Sequence, residues 1–118
     1  TADVARAAWY LFSSGRRVHA VGRKAPNPWG LYDTHGNVSE WCRDAFDPNF
    51  YLEGDLENPW CREPAGRRVI RGGGCLNLAE HCRSAYRSWA HSKNRYKFLG
   101  FRLACVPAAQ PTAQADGE

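Results

Sequence analysis

The blocks RVIRGGG (residues 68–74), CRSAYR (82–87) and GFRLA (100–104) decide the fold of this chain. Each block is short and regular, and together they bracket two inserts, residues 75–81 and 88–99. The inserts follow neither the 3.6-residue period of a helix nor the two-residue period of a strand. A regular frame around irregular inserts predicts that the frame holds the inserts as a presented surface.

The composition indicates one small, loop-rich domain. The chain has 118 residues, 43% hydrophobic and 24% charged, enough for a single modest core. Seven prolines and eleven glycines predict few long elements, and five Trp, five Tyr and five Phe supply side chains that pin the loops. No apolar run approaches the roughly 20 residues that a bilayer requires, so we expect no membrane span. No secretory leader is visible, which leaves the cellular location open.

The basic residues are concentrated in one part of the chain. The net charge is +4, and residues 62–102 carry ten Lys or Arg against two acids. Such a patch is one mark of a nucleic-acid footprint. Several of these arginines alternate with small or apolar residues inside the regular blocks, however, and no nucleic-acid motif is present. We therefore interpret them as structural and expect no nucleic-acid partner.

The cysteines do not form a recognisable metal or redox motif. Their number is odd, and no pair has the C-x-x-C spacing of zinc ribbons and thioredoxin-like sites. Buried free thiols are the plain interpretation, and one or two disulfides are the alternative.

A helix, a strand and a turn are predicted within the first thirty residues. Helix formers and an apolar stripe predict a helix over residues 4–12, and the Ser-Ser-Gly at 13–15 ends it. Alternation predicts a strand at 17–21, and the prolines on either side of Asn27 predict a turn at 26–28.

The second half alternates loops with short strands. Residues 44–66 read as a long loop held by four aromatic side chains, Phe46, Phe50, Tyr51 and Trp60. Strands are predicted at 68–71 and 99–106. The domain therefore spans residues 1–106, and residues 107–118 have the composition of a disordered tail.

Oxygen-bearing side chains surround a glycine turn in residues 29–42. Asp33 and Glu40 are suited to be carboxylate ligands of a hard cation such as Ca²⁺, with the carbonyls of Gly36 and Val38 turned inward. An Asx-type turn in which Glu40 accepts backbone N–H bonds explains the same residues equally well.

The ordered blocks together resemble the formylglycine-generating enzyme (sulfatase-modifying factor) family. They are NPWGLYD (27–33), HGNV (35–38) and EW (40–41), followed by the three frame blocks. The resemblance implies an α+β, C-type-lectin-like fold with little regular secondary structure. It also implies that Asp33 and Glu40 bind Ca²⁺ through side chains and that Gly36 and Val38 bind it through carbonyls. Relatives have further sequence upstream of the matched part.

The resemblance does not extend to the family's catalytic cysteines. In formylglycine-generating enzymes two cysteines five residues apart bind copper and activate oxygen. On this register they fall near Ala79 and at Ser84, whereas Cys75 and Cys82 are seven apart. Because a serine does not replace a soft thiolate, we expect no copper and no catalytic residue here. An oxidase completed by upstream sequence is the rival hypothesis.

A second branch with this fold, the variable proteins of diversity-generating retroelements, resembles the chain more closely. In these bacterial and phage proteins, reverse transcription randomises adenines of a template repeat, and the gene ends at a Gly-Phe-Arg block. Positions that are commonly Asn in relatives hold residue types reachable by changing adenines of an Asn codon: Leu76, Leu78, His81, Ser88, Ala90, His91, Tyr96 and Phe98. Lys93 and Lys97 are not reachable in this way.

These positions and Trp89 form the predicted ligand-binding surface. Aromatic and apolar anchors among small polar groups are typical of antibody-like recognition. We predict a non-catalytic domain that binds a protein or cell-surface ligand through this surface. Ordinary drift in surface loops, or an accessory module within a larger bacterial protein, are the alternatives.

Overall fold

A four-stranded mixed sheet carries both inserts. The computed structural model describes residues 2–50, 61 and 66–107. In the described part the elements are helix α1 (Ala2–Ala7), strands β1 (Ser39–Ala45), β2 (Arg67–Arg71), β3 (Arg87–His91) and β4 (Leu99–Gly100), and a 3-10 turn (Ala79–Cys82). The strand order is β3-β2-β1-β4, so the second insert begins at one edge of the sheet and ends at the other.

The strand registers place the frame blocks side by side. β2 and β3 pair antiparallel over five residues, from Arg67 opposite His91 to Arg71 opposite Arg87. β1 pairs antiparallel with β2, where an irregularity separates the Trp41 and Ala45 pairs, and β4 runs parallel to β1. Directly paired residues share a face, so Val69 and Trp89 lie on the same side of the sheet.

The structure confirms some predicted elements and corrects others. β2 is where alternation predicted it, at Arg67–Arg71. α1 ends at Ala7 rather than at residue 12, because Trp9 instead forms a parallel bridge with Gly36. The strand predicted at 17–21 is wrong, since these residues have no ladder. β4 covers only Leu99–Gly100 of the predicted 99–106.

Two strands lie where the sequence predicted no regular element. β1 follows directly from the glycine turn, and β3 occupies the first part of the second insert. Both are only partly buried and rich in polar residues, which obscures their two-residue period. Within the predicted loop 44–66, Tyr51 and Trp60 lie outside the described residues, as does the tail from 108 onward.

The turn at Gly36 and Asn37 connects segments that are distant in the sequence. Asn37 is 4% exposed, and its amide bonds both backbone groups of His19: Oδ1 accepts from the N–H at 2.9 Å and Nδ2 donates to the carbonyl at 3.1 Å. Its backbone donates to the Trp9 carbonyl at 2.7 Å and accepts from the Cys75 N–H at 2.9 Å. Gly36 donates to the Gly72 carbonyl at 2.7 Å.

The core beside this turn is small and lies under α1. Ala8, Tyr10 and Cys82 are buried together, and Val4 and Ala79 pack against them. Within the described part of the chain, no helix has the length and apolar character needed to cross a bilayer.

We expect Gly36→Ala to destabilise the fold far more than Gly30→Ala. Both glycines have positive φ, +87° and +80°, so both alanines carry the left-handed penalty of about 1–2 kcal/mol. A Cβ on Gly36 would also lie 2.8 Å from the Trp9 carbonyl carbon, whereas Gly30 has open space. Urea unfolding should show a loss of about 3 kcal/mol or more for Gly36→Ala. Equal losses in the two variants would contradict the close approach.

Candidate functional site

The first insert is held by its buried residues and presents the others. Cys75 is fully buried, and its carbonyl accepts from the Ser14 hydroxyl at 2.8 Å. The Asn77 side chain accepts from the Gly74 N–H at 2.8 Å, which closes the turn. Leu76 and Leu78, the residues on either side of Asn77, are 45% and 40% exposed.

His81 lies at the end of the first insert and is only half-buried. Its ring is 4.8 Å from the Tyr86 ring, and its Nε2 lies 3.5 Å from a Glu80 carboxylate oxygen. It has no acid–base arrangement with a nucleophile in these contacts. These contacts place His81 at the partly exposed end of the first insert.

β3 divides the predicted contact residues between its two faces. Trp89 is 41% exposed and His91 is exposed, with their rings 5.4 Å apart edge to face. Ser88 is half-buried on the opposite face. Ala90, on the same face as Ser88, is only 4% exposed and belongs to the core, so it is removed from the candidate contact surface.

Trp89 is supported by an aromatic and arginine cluster that the sequence did not predict. The Phe46 ring lies 6.3 Å from it, and the Arg67 guanidinium lies 5.2 Å from its centroid. Arg87 lies 5.3 Å from the Phe46 centroid and donates to the Asp47 carbonyl at 3.0 Å. Phe46 and Trp89 are far apart in the sequence, so no local pattern predicts this contact. It forms because β2 pairs with β3.

The second insert ends against the same turn that holds the first. The Phe98 carbonyl accepts from the Ser39 N–H at 2.9 Å, two residues from the Asn37 carbonyl that binds Cys75. Phe98 is half-buried, while Tyr96 is 53% exposed and its hydroxyl accepts from the Asn94 side chain at 2.6 Å. The two inserts therefore meet at residues 37–39, whereas Trp89 and His91 extend along β3 away from it.

The predicted metal ligands lie around one cleft. Asp33, Gly36, Val38 and Glu40 all line a cavity of about 360 Å³. Asp33 Oδ2 accepts from the Gly22 N–H at 2.9 Å, but Oδ1 is buried and has no hydrogen-bond partner among the described residues. A buried, unpaired carboxylate oxygen is costly, and a bound cation would remove that cost.

Arg102 already occupies part of this cleft. Its guanidinium donates to both Glu40 oxygens at 2.8 Å and to the carbonyls of Tyr32 and Asp33 at 3.1 and 3.0 Å. The hydrogen bonds to Glu40 raise the pKa of Arg102 further above its ordinary value. One guanidinium balances one of the two carboxylates, and each carboxylate oxygen has a second lone pair. The residues present therefore fit a hard cation beside Asp33.

Such a cation would depend on backbone oxygens as well as on carboxylates. In residues 2–50, 61 and 66–107, no three His, Cys, Asp or Glu side chains converge as a metal cluster. The predicted set has two carboxylates, so the Gly36 and Val38 carbonyls would complete it.

All five cysteines, each within the described residues, are free thiols. Cys61, Cys75 and Cys82 are buried, and Cys105 is exposed. Cys82 lines a second cavity of about 310 Å³ together with His35 and Ala79, and the His35 ring nitrogen Nδ1 lies 2.6 Å from the Cys82 carbonyl oxygen. Burial raises the pKa of the Cys82 thiol to about 11, so this sulfur is protonated at neutral pH.

Comparison with known proteins supports the same fold. The solved structure of Treponema denticola variable protein 1 superposes with a TM-score of 0.81 at 37% identity, covering 90% of this chain and 38% of that one. The predicted α+β fold class is confirmed by this match.

The sequence relatives include a formylglycine-generating enzyme and a serine/threonine-protein kinase. The chain is 41% identical over 83 residues to a formylglycine-generating enzyme of Streptomyces coelicolor, covering 67% of this chain and 26% of the enzyme. It is 38% identical over 81 residues to the serine/threonine-protein kinase pkn1 of Chlamydia pneumoniae, covering 67% of this chain and 13% of the kinase. The chain thus spans about a quarter or less of these relatives.

The family model described as sulfatase-modifying factor enzyme 1-like domain matches residues 3–106. That range includes the glycine turn, the three frame blocks and both inserts. The chain belongs to the formylglycine-generating enzyme (sulfatase-modifying factor) family.

Proposed function

We propose that this domain binds a ligand and catalyses no reaction. Its binding surface consists of side chains that differ between copies of the gene, as in the variable proteins of diversity-generating retroelements. One observation carries the proposal: the insert residues on either side of fixed anchors are exposed. Leu76, Trp89 and Tyr96 are 41–53% exposed, while the neighbouring Cys75 and Ala90 are buried. The structural similarity to Treponema denticola variable protein 1 supports the same function.

The proposed contact surface consists of residues from both inserts and from β3. Apolar area comes from the leucines and aromatic residues, and hydrogen bonding comes from the histidines. Its members are Leu76, Leu78, His81, Trp89, His91, Tyr96 and Phe98, and Ser88 is left out because it lies on the opposite face of β3. The proposed ligand is a protein or a cell-surface component.

Sequencing this gene in sibling clones, which carry the same gene after independent rounds of diversification, tests this function. We expect amino-acid differences at the contact positions other than Trp89, with Cys75, Val69 and the frame arginines unchanged. An adenine-rich near-copy of codons 68–104 and a neighbouring reverse-transcriptase gene should accompany them. Differences spread evenly over frame and inserts would indicate ordinary drift and overturn the proposal.

A second candidate is an accessory module within a larger protein. The matched segment of the pkn1 kinase, 13% of that protein, favours it, because the same domain there is a small part of a larger chain. This role uses the same fold but requires no exchange of insert residues, so the sibling sequences separate the two candidates.

The oxidase hypothesis requires a reactive cysteine, and Cys82 is the residue that could supply one. A copper-binding or nucleophilic cysteine acts as the thiolate. A pKa of about 11 leaves on the order of one Cys82 in ten thousand ionised at pH 7. The buried environment therefore favours a structural thiol.

We expect Cys82 to resist alkylation in the folded protein, with exposed Cys105 as the internal control. Iodoacetamide at pH 7.5, followed by peptide mass spectrometry, should modify Cys105 first and Cys82 only after denaturation. The Cys82 rate should rise as the pH approaches 11, because its pKa is raised. Rapid Cys82 labelling at pH 7.5, with copper-dependent oxygen consumption on a Cys-x-Pro-x-Arg peptide, would support the oxidase instead.

We also propose that the cleft beside Asp33 binds Ca²⁺. The unpartnered Asp33 Oδ1 supports this site, and Glu40, Gly36 and Val38 would complete it. Bound only by the folded state, the ion would stabilise the glycine turn that anchors both inserts.

Thermal unfolding with CaCl₂ and with EDTA tests the calcium site. At a concentration 100 times Kd, Ca²⁺ should add about 2.7 kcal/mol to the unfolding free energy of the wild type. Asp33→Ala should abolish this gain, whereas Asp47→Ala, which removes a carboxylate outside the cleft, should retain it. Identical calcium responses of Asp33→Ala and the wild type would contradict the assignment.

A further inference from the structure

The basic side chains of residues 68–102 fall into two groups. The first group consists of frame arginines whose guanidinium groups donate to the chain itself: Arg68 to the Arg43 carbonyl, Arg71 to Ser84, Arg83 to Glu80, and Arg87 and Arg102 as described above. The second group lies in the second insert. Lys93 and Arg95 are exposed, and neither has a hydrogen-bond or ion-pair partner among the described residues.

The second insert has no acidic residue to balance these charges. Residues 81–106 contain six Lys or Arg and no Asp or Glu. Lys97, the third cation of the insert, lies 5.0 Å from the Phe98 ring centroid. Covering unpaired cations with a neutral surface removes their hydration without replacing it. Because nothing among the described residues pairs with Lys93 or Arg95, a ligand that brings negative charge to this insert is favoured over a neutral one.

The edge of the sheet indicates what kind of molecule brings that charge. In the described part of the chain β3 is an edge strand, so half of its backbone N–H and C=O groups point away from β2. β3 leads directly into a cavity of about 390 Å³ lined by Gly66, His91, Ser92, Lys93 and Asn94. An extended polypeptide pairs with such an edge through its own amides, which a nucleic acid does not do.

We propose that the ligand of this domain is an extended acidic segment of a partner protein. The segment adds a strand to β3, contacts Trp89 and His91 through its side chains, and places carboxylates against Lys93 and Arg95. This inference rests on the proposed binding function and names its ligand class. Lys93 and Lys97 do not arise from adenine changes in an Asn codon, so they would supply a constant charge while neighbouring contacts vary.

Fluorescence anisotropy on the full chain tests the inference. The probe is a fluorescein-labelled twelve-residue peptide of alternating Glu and Thr, at 50 mM NaCl, with a Gln/Thr peptide as the uncharged comparison. Lys93→Ser/Arg95→Ser should weaken binding of the Glu/Thr peptide about tenfold, because two ion pairs of moderate strength are lost. Arg17→Ser/Arg23→Ser removes the same charge from an exposed segment outside the inserts and should change binding less than twofold.

Besides a failure of the Glu/Thr peptide to bind, three results would overturn the inference. Equal weakening by the two double variants would mean attraction by net charge alone. Tighter binding of a labelled dT20 oligonucleotide or of heparin, lost in Lys93→Ser/Arg95→Ser, would assign the loop to another anionic polymer. Unchanged binding of a Glu/Thr peptide N-methylated at alternate residues would exclude strand addition to β3.

The proposed function has a separate readout. If the peptide does not bind but sibling genes differ only at the contact positions, the acidic ligand class is wrong and the binding function stands. If sibling differences are spread evenly, the variable-surface function fails whatever the peptide does.

Discussion

The hydrogen bonds of Asn37 are the constraint on which the rest of the structure depends. One buried residue binds His19 through its side chain, and Trp9 and Cys75 through its backbone. With a sheet of four short strands and a small core, the described part of the chain has few ladder bonds to define the path of its loops. The Asn37 turn replaces them, and it does so while its own φ is +70°, a conformation that Asn tolerates better than most residues.

The same turn explains how two irregular inserts are presented together. At the start of the first insert, the Cys75 N–H donates to the Asn37 carbonyl. Near the end of the second insert, the Phe98 carbonyl accepts from the Ser39 N–H. Between these anchors the chain is held by main-chain and buried contacts, such as Ser14 on Cys75, although the exposed Trp89 also packs against Phe46 and Arg67. Side chains that make no such contact can change without changing the path of the backbone. This separation of framework from contact residues is what a variable binding surface requires.

Much of the fold could be predicted from the sequence, because the ordered blocks identify the family and β2 has a clear two-residue period. The sequence did not predict β1 and β3, because neither strand alternates buried apolar residues with exposed polar ones. In RSWAH (87–91), the small Ala90 is buried, whereas the large Trp89 and His91 are exposed. Ala90 was assigned to the surface because its residue type is reachable from an Asn codon by adenine changes, a criterion that carries no information about burial. The Phe46–Trp89 contact and the Arg102–Glu40 pair join residues far apart in the chain, and no local pattern reports such pairs.

The central claim is that the exposed insert side chains contribute little to folding, and free energies of unfolding test it most directly. Leu76→Asn, His91→Asn and Tyr96→Asn are compared in urea with Ala90→Asn, a buried position in the same region. The account predicts losses below about 0.5 kcal/mol for the three exposed positions and about 2 kcal/mol or more for Ala90→Asn, which buries an amide in the core. Losses at Leu76 and Tyr96 as large as that at Ala90 would contradict it.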